Sequence, residues 1–185
     1  MKSIIGITDA TGMIYALRLL ETFQQLNIQT CLIVSREAEA TLVQETNYSL
    51  AHYKSLAHHF CFDDAELLPD CEWDADSMII IPCRAASIAP IVHDSPLNFL
   101  QKAAVNILKI QKKLILAASE PVFLPEHLKI LLEMAYRGAT IMPYMPSFYH
   151  KPASINDVVN HHTGRILDLL DIEHNMVKRW GEKPQ

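Results

Sequence analysis

Glycine is scarce in this chain. There are five in 185 residues and no Gly-x-Gly-x-x-Gly run, so the usual glycine fingerprint of a dinucleotide site is missing. The four cysteines, Cys31, Cys61, Cys71 and Cys83, show no Cys-x-x-Cys spacing. That argues against a zinc site or a disulfide framework and for thiols buried in a reducing compartment. No His-Glu-x-x-His occurs, and the pairs His58/His59 and His161/His162 are sequence neighbours. Neighbours on a helix point about 100° apart, so neither pair chelates a metal by itself, and no metal is expected. No apolar run reaches the roughly 18–20 residues of a membrane span. The first residues, Met1 to Gly6, lack the long apolar core and cleavage site of a signal peptide and read as a strand, which points to a cytoplasmic protein. Basic residues are not in excess: 16 Lys and Arg stand against 21 Asp and Glu. Nucleic acid is therefore not expected as the main partner.

What is present is a large apolar fraction, 50% of the residues, enough for a sizeable core. The length fits one domain of roughly 100–200 residues, taken to run over the whole chain. Segments of strand and helix type alternate. Strands are expected at 3–8, 28–34, 77–82, 113–117 and 140–142, and helices at 13–26, 37–45, 50–59, 97–110 and 125–137. The pattern from Ser154 to Asp157 resembles a capping box opening a last helix. Ile155, Val158, Val159, His162, Ile166, Leu169 and Leu170 form one face of it. This alternation predicts an α/β fold, a doubly wound Rossmann-like parallel sheet. Such sheets bind ligands beyond their carboxyl ends, which directs attention to the connections at 8–12, 35–36, 82–87 and 118–124.

By chemistry alone these connections carry modest signals. Thr8, Asp9, Ala10 and Thr11 precede a helix, where hydroxyls and backbone N–H groups suit a phosphate but equally make an ordinary capped turn. Ser35 is a natural N-cap, Glu45 a helix-end carboxylate, and Lys102, Lys109, Lys112 and Lys113 a solvated basic face. The most distinctive run is Met142 to Pro152, with three prolines and three aromatics in eleven residues. It cannot be a helix interior, and a rigid aromatic loop after a strand suits a ligand site.

The wording of that run, Met-Pro-x-x-Pro-x-Phe-Tyr-His-x-Pro, resembles the signature of the UbiX/Pad1 family of flavin prenyltransferases. The resemblance extends along nearly the whole chain and is thinnest over residues 52–76. Thr8, Ala10, Thr11, Gly12, Tyr15, Arg18, Leu19 and Leu20 follow the family's first loop and helix, with Asp9 in place of a glycine. Ser35 matches a flavin-contacting serine, and Glu45 a carboxylate near the active site. Pro82, Cys83, Ser87, Ile91, Val92 and His93 follow the third loop and its helix, with Arg84 replacing a flavin-contacting serine beside the small residue Ala85. Asn98, Leu100, Ala103, Ala104, Leu108 and Lys109 follow the next helix, where Lys102 stands for an arginine and Val105 for an aspartate. Glu120 matches the family's proton-transfer carboxylate, while Ser119 replaces an arginine. Tyr149, Arg165 and Trp180-Gly181 match near the end.

The resemblance implies FMN as cofactor and reduced FMN as substrate. It implies dimethylallyl phosphate as prenyl donor and prenylated FMN, made for a UbiD-type decarboxylase, as product. Glu120, Glu45, Tyr149, Lys109 and Arg165 would then be catalytic. Thr8, Asp9, Ala10, Thr11, Ser35, Arg84, Ala85, Ser87, Lys102 and Ser119 would line the flavin and phosphate sites. A homo-oligomer of trimers or a dodecamer would carry the site at an interface. Two other readings stand beside it. One is a non-catalytic relative that binds FMN or prenylated FMN. The other is a flavin-dependent decarboxylase of the cysteine-decarboxylase superfamily, whose Asn- and Trp-bearing loop this chain lacks.

Overall fold

Runs of aliphatic residues buried on both faces make the strands, as parallel strands covered by helices on either side require. The computed structural model describes residues 1–65 and 74–177. Cys71, most of the acidic connector after Asp64, and Trp180-Gly181 lie outside the described residues. The chain falls into two units, Met1–Pro143 and Tyr144–Gln185.

The first unit holds β1 (Lys2–Ile7), α1 (Met13–Gln25), β2 (Gln29–Val34), α2 (Ala38–Glu45), α3 (Leu50–Ser55), β3 (His59–Phe62) and β4 (Ser77–Cys83). It continues with α4 (Ala85–Val92), α5 (Phe99–Lys109), β5 (Lys113–Ala118), α6 (Pro125–Tyr136) and β6 (Thr140–Ile141). The strands lie in the order β3-β2-β1-β4-β5-β6, every pair parallel. The order reverses between β1 and β4, so a ligand crevice opens beyond their carboxyl ends.

One face of the sheet, with Ile4, Ile33, Met78, Ile80, Leu114 and Leu116, packs on the buried residues of α4, α5 and α6. Side chains alternate along a strand, so Ile5, Ile7, Leu32, Val34, Ile79 and Ile81 point the other way. All six are fully buried. Close approach sets one glycine: a Cβ at Gly6 would lie 3.1 Å from Leu100 Cδ1 of α5. Phe23 of α1 is fully buried, and truncating it to alanine should cost about 3–5 kcal/mol.

One expected element differs. The helix expected at 50–59 stops at Ser55, and His59–Phe62 pairs with Cys31–Val34 as a sixth, edge strand. Phe60, Cys61 and Phe62 suit a pleated half-buried surface better than a helix, and the acidic residues that follow hid so short a strand.

In the second unit, α7 (Ile155–Leu169) opens with the expected box. Asp157 N–H donates to Ser154 Oγ (3.2 Å) and Ser154 N–H to Asp157 Oδ2 (2.9 Å). Val159, His162, Ile166 and Leu170 are buried as the face predicts, whereas Ile155, the first helical residue, is exposed. Gly164 lets the chain return across α7: a Cβ there would run into the Val177 side chain and the His174 ring.

Candidate active site

The carboxyl ends of β1, β4 and β5 are laced together by hydrogen bonds. The Thr8 hydroxyl, buried after β1, donates to Pro82 O (3.1 Å) and accepts from the Arg84 N–H (2.9 Å). The Ser119 hydroxyl donates to Thr11 O (2.6 Å), and its N–H donates to Cys83 O (3.0 Å). Glu120 accepts the N–H of Ala85, the first residue of α4, through Oε1 at 2.9 Å. A helix N-terminus suits a carboxylate, and the bond from Ala85 fixes this one in a single orientation. Beneath it, burial and then the Glu120 charge push the Cys83 thiol far up, leaving it inert. Thr8, Thr11, Ala85 and Ser119 thus act on backbone groups that shape the crevice.

The start of α1 departs from the expected phosphate cradle. Gly12, in the left-handed region at φ 112, and Met13 donate their N–H groups to Glu45 Oε2 at 2.8 and 2.9 Å. This chain's own carboxylate therefore occupies the donors that Thr8–Gly12 would otherwise offer an anion.

Beside this knot lies a cleft of about 270 Å³ lined by Asp9, Ser35, Glu37, Asp63, Arg84, Ala86, Ser87, Asn98, Leu100 and Gln101. Four of the expected cofactor residues meet here: Asp9, Ser35, Arg84 and Ser87. Two of the residues that depart from the family pattern face one another. Asp9 Oδ2 lies 3.8 Å from the Arg84 guanidinium, while Asp9 Oδ1 accepts from the Thr41 hydroxyl (2.6 Å). Asp9 is thus held by Thr41 of α2 and lies beside the Arg84 guanidinium. Ser35 is not the N-cap, which is Glu37, but its hydroxyl accepts from the N–H of Ala38, the first residue of α2, at 3.2 Å.

Sequence reasoning missed the far wall. Asp63, buried at the end of β3, accepts from Asn98 Nδ2 (2.8 Å) and Arg36 N–H (3.3 Å), and burial raises its carboxyl above the ordinary range. Gln101 caps α5 with Asn98 and donates through Nε2 to Ser87 O (2.8 Å). The Asn-x-x-Gln box before an apolar helix was the available signal. Lys102, exposed, stands four residues after Asn98 and so on the same helix face, one turn from the cleft.

The remaining expected residues are not among those lining this cleft. Lys109 ends α5, ten residues from Phe99 and so about 15 Å along the helix from the cleft end. There it joins Arg137, the larger influence, in holding the Asp94 carboxyl below its usual range. Tyr149 and Arg165 belong to the second unit. The Tyr149 hydroxyl lies 2.9 Å from His161 Nε2, and Arg165 pairs with Asp168 at 3.0 Å. Among the described residues no three His, Cys, Asp or Glu side chains converge as a metal site would require.

The sequence profile of the Flavoprotein family matches residues 1–179. The chain is 36% identical to the flavin prenyltransferase UbiX of Salmonella typhimurium over 184 residues, covering 97% of each. The chain belongs to the UbiX flavin prenyltransferase family. Among solved structures, AnUbiX (PadA1) in complex with FMN and dimethylallyl pyrophosphate superposes with a TM-score of 0.93 at 31% identity, covering 99% of this chain and 98% of that one. A dodecameric FMN-dependent UbiX-like decarboxylase from Escherichia coli O157:H7 gives 0.93 at 31%, covering 98% and 100%. The cysteine decarboxylase TvaF, at 9% identity and a TM-score of 0.62, shares the fold alone.

Proposed function

We propose that this chain is a flavin prenyltransferase that moves a dimethylallyl group from dimethylallyl phosphate to reduced FMN. The observation that carries this reading is the full-length match to UbiX relatives together with an intact Glu120 that follows β5 and is fixed by the first N–H of α4.

The cleft residues fit a flavin nucleotide. Ser35, Ser87, Asn98 and Gln101 offer hydroxyl and amide groups for the ribityl chain and ring edge. Arg84 and Lys102 offer cations for a phosphate. The Asp9–Arg84 pair does not oppose this. It is long and half exposed, worth at most about 1 kcal/mol, whereas a phosphate bound by a guanidinium gains roughly 1.5–3 kcal/mol per charged hydrogen bond. A phosphate would therefore take Arg84 from Asp9. Bound reduced FMN supplies the nucleophile. Glu120, held by Ala85 N–H, moves the proton. Cations and the Tyr149 hydroxyl stabilise the phosphate as it leaves. Ser119 supplies no charge for that purpose, so the leaving phosphate depends on Lys102, Arg165 and Lys109.

Lys109 can join only if another copy of the chain brings it, which supports a homo-oligomer with interface sites, either a trimer or a dodecamer. The outer face of α6 supports the same assembly. Leu128, Leu132 and Tyr136 recur at i, i+4 and i+8 and are all exposed, a stripe that water alone leaves poorly covered. A UbiD-type decarboxylase would consume the product. The buried thiols Cys31, Cys61 and Cys83 suit the reducing cytoplasm.

The test is anaerobic incubation of the protein with reduced FMN and dimethylallyl phosphate, followed by mass spectrometry of the extracted flavin. A gain of one prenyl unit is expected. Tightly bound but unmodified FMN would overturn the transferase and leave a flavin carrier.

A further inference from the structure

Besides the cluster in which His150 stacks on His161, ring centroids 4.5 Å apart, the second unit holds a line of side chains that ends on Arg165. Arg165 Nη1 donates to Asp168 Oδ2 at 3.0 Å, and the other oxygen of that carboxylate, Oδ1, lies 3.1 Å from His174 Nε2. On the far side of the ring, His174 Nδ1 accepts the Met176 N–H at 3.0 Å. The line runs from core to surface: the His174 side chain is 3% exposed, Asp168 18% and Arg165 51%.

Two residues of α7 stand against local preference, and this ring accounts for both. Gly164 lies in the helix interior, where glycine is among the poorest residues. A Cβ there would lie 2.9 Å from His174 Cε1, so glycine lets the ring rest on the helix. Asp168 is the second-last residue of α7, whose last turn holds no basic residue. That end of a helix favours cations over carboxylates. Gly164 and Asp168 are four residues apart and share one face, and His174 meets both. Local choices that cost the helix, and that converge on one contact, mark a contact with a use.

We propose that Asp168 and His174 are positioning residues that hold the Arg165 guanidinium ready for an oxyanion, the phosphate of the prenyl donor. The argument is one of donors and acceptors. A backbone N–H can only donate, so His174 Nδ1 holds a lone pair and the ring proton sits on Nε2, aimed at Asp168. A guanidinium also only donates. Asp168 thus stands between two donors, and a carboxylate serves both, one oxygen to each. Its plane is fixed, and with it the direction of Arg165 Nη1. A guanidinium carries five N–H groups, and a phosphate can take two of them side by side. An arginine already held in one rotamer loses less freedom when the anion arrives. The contact differs from that at Arg84. Asp9 lies 3.8 Å from that guanidinium and is bonded to Thr41, so it competes for the cation, whereas Asp168 is bonded to its arginine and backed by a buried ring.

This inference rests on the reading that Arg165 meets the donor phosphate. The test measures kcat/KM for dimethylallyl phosphate with the flavin-loaded full-length protein. His174→Phe keeps a ring without the donor, and His174→Gln keeps an N–H near the Nε2 position. Asp168→Asn sets an amide N–H against one of the two donors. We expect His174→Phe and Asp168→Asn each to lower kcat/KM about two- to tenfold, the cost of ordering one long side chain afresh. His174→Gln should stay near the wild type. In an Arg165→Ala background, His174→Phe should cost nothing more. A wild-type or higher kcat/KM in Asp168→Asn, no rescue by glutamine, or an undiminished loss in the Arg165→Ala background would each overturn the proposal.

Nitrogen NMR of the histidine and arginine side chains supplies an arm independent of turnover. His174 should be the Nε2–H tautomer, and the Arg165 guanidinium signals should lose their order in Asp168→Asn and His174→Phe. An Nδ1–H tautomer, or Arg165 signals unmoved by both substitutions, would overturn the positioning even if prenyl transfer is found. The expected tautomer and the expected loss of order in a protein that transfers no prenyl group would uphold the positioning and remove only the transferase reading.

Discussion

The crevice of the first unit and the aromatic cluster of the second are both polar networks, but they are tied in different ways. In the crevice, Glu120 and Glu45 are acceptor-only carboxylates locked by backbone N–H groups at the starts of α4 and α1. In the cluster, aromatic rings bond and stack on one another, and burial holds His161 and His162 below their ordinary proton affinity. A carboxylate fixed by backbone donors keeps one direction. A buried imidazole keeps its state only while the solution is not acidic. The first kind of network suits proton movement at a fixed point. The second suits orientation and carries a built-in acid sensitivity.

The sharpest way to break the comparison is Glu120→Gln. The amide can still accept from Ala85 N–H, so the fold of the knot and flavin binding should survive. Proton transfer should not, and turnover should fall by about 10²–10⁴-fold. Absorbance of bound FMN and product formation, measured on the same sample, check both halves. Turnover equal to the wild type would remove Glu120 from the chemistry.

Acid titration tests the second region. Burial, with a smaller push from His161, lowers His162 from its ordinary 6.5 to about 4. The folded-state value is depressed, so the stabilisation is complete above pH 6.5 and is lost as pH falls from there toward 4. The shift corresponds to about 3 kcal/mol. Unfolding midpoints measured from pH 7 to pH 4 should therefore drop steeply, and His162→Val should flatten that slope whatever it does to the midpoint at pH 7. An unchanged slope would move the acid sensitivity to another group.

A smaller effect separates capping from catalysis at Glu45. Glu45→Ala strips the acceptor from Gly12 and Met13 and should cost about 1 kcal/mol of stability. Glu45→Gln, which keeps an acceptor, should recover most of it. If turnover follows the stability series, Glu45 acts only by holding the loop. If Glu45→Gln is stable but slow, its charge also enters the reaction.

These regions differed in how far the sequence revealed them. The sheet was legible because parallel strands are continuous apolar runs, and the α5 and α7 starts because their caps are local in sequence. The edge strand His59–Phe62 was hidden because four residues with no apolar alternation carry no period of their own; only pairing with Cys31–Val34 makes them a strand. Asp63 was missed for the same reason, since its partners Arg36 and Asn98 lie 27 and 35 residues away. Ser35 and Thr8 stand just after β2 and β1, but which atoms their hydroxyls hold depends on strand order. The family resemblance named Asp9 and Arg84 as departures and could not show that they face each other.

That pair gives the finest test. Taken one at a time, Asp9 resembles a lost phosphate site and Arg84 a blocked flavin site. Taken together, they are one neutral substitution across the cleft, Asp9 held by Thr41 and Arg84 left half exposed. Asp9→Gly should release Arg84 and tighten FMN by a few-fold, because the competing carboxylate is worth at most about 1 kcal/mol. Arg84→Ser should weaken FMN by about tenfold or more through loss of a charged hydrogen bond and exposure of an unpaired Asp9. The double variant should fall between them, with a coupling energy below about 1 kcal/mol. Fluorescence titration of FMN against the four proteins measures each term. If Arg84→Ser instead binds FMN more tightly than the wild type, the guanidinium fills the flavin's space, and the phosphate must be held by Lys102 alone.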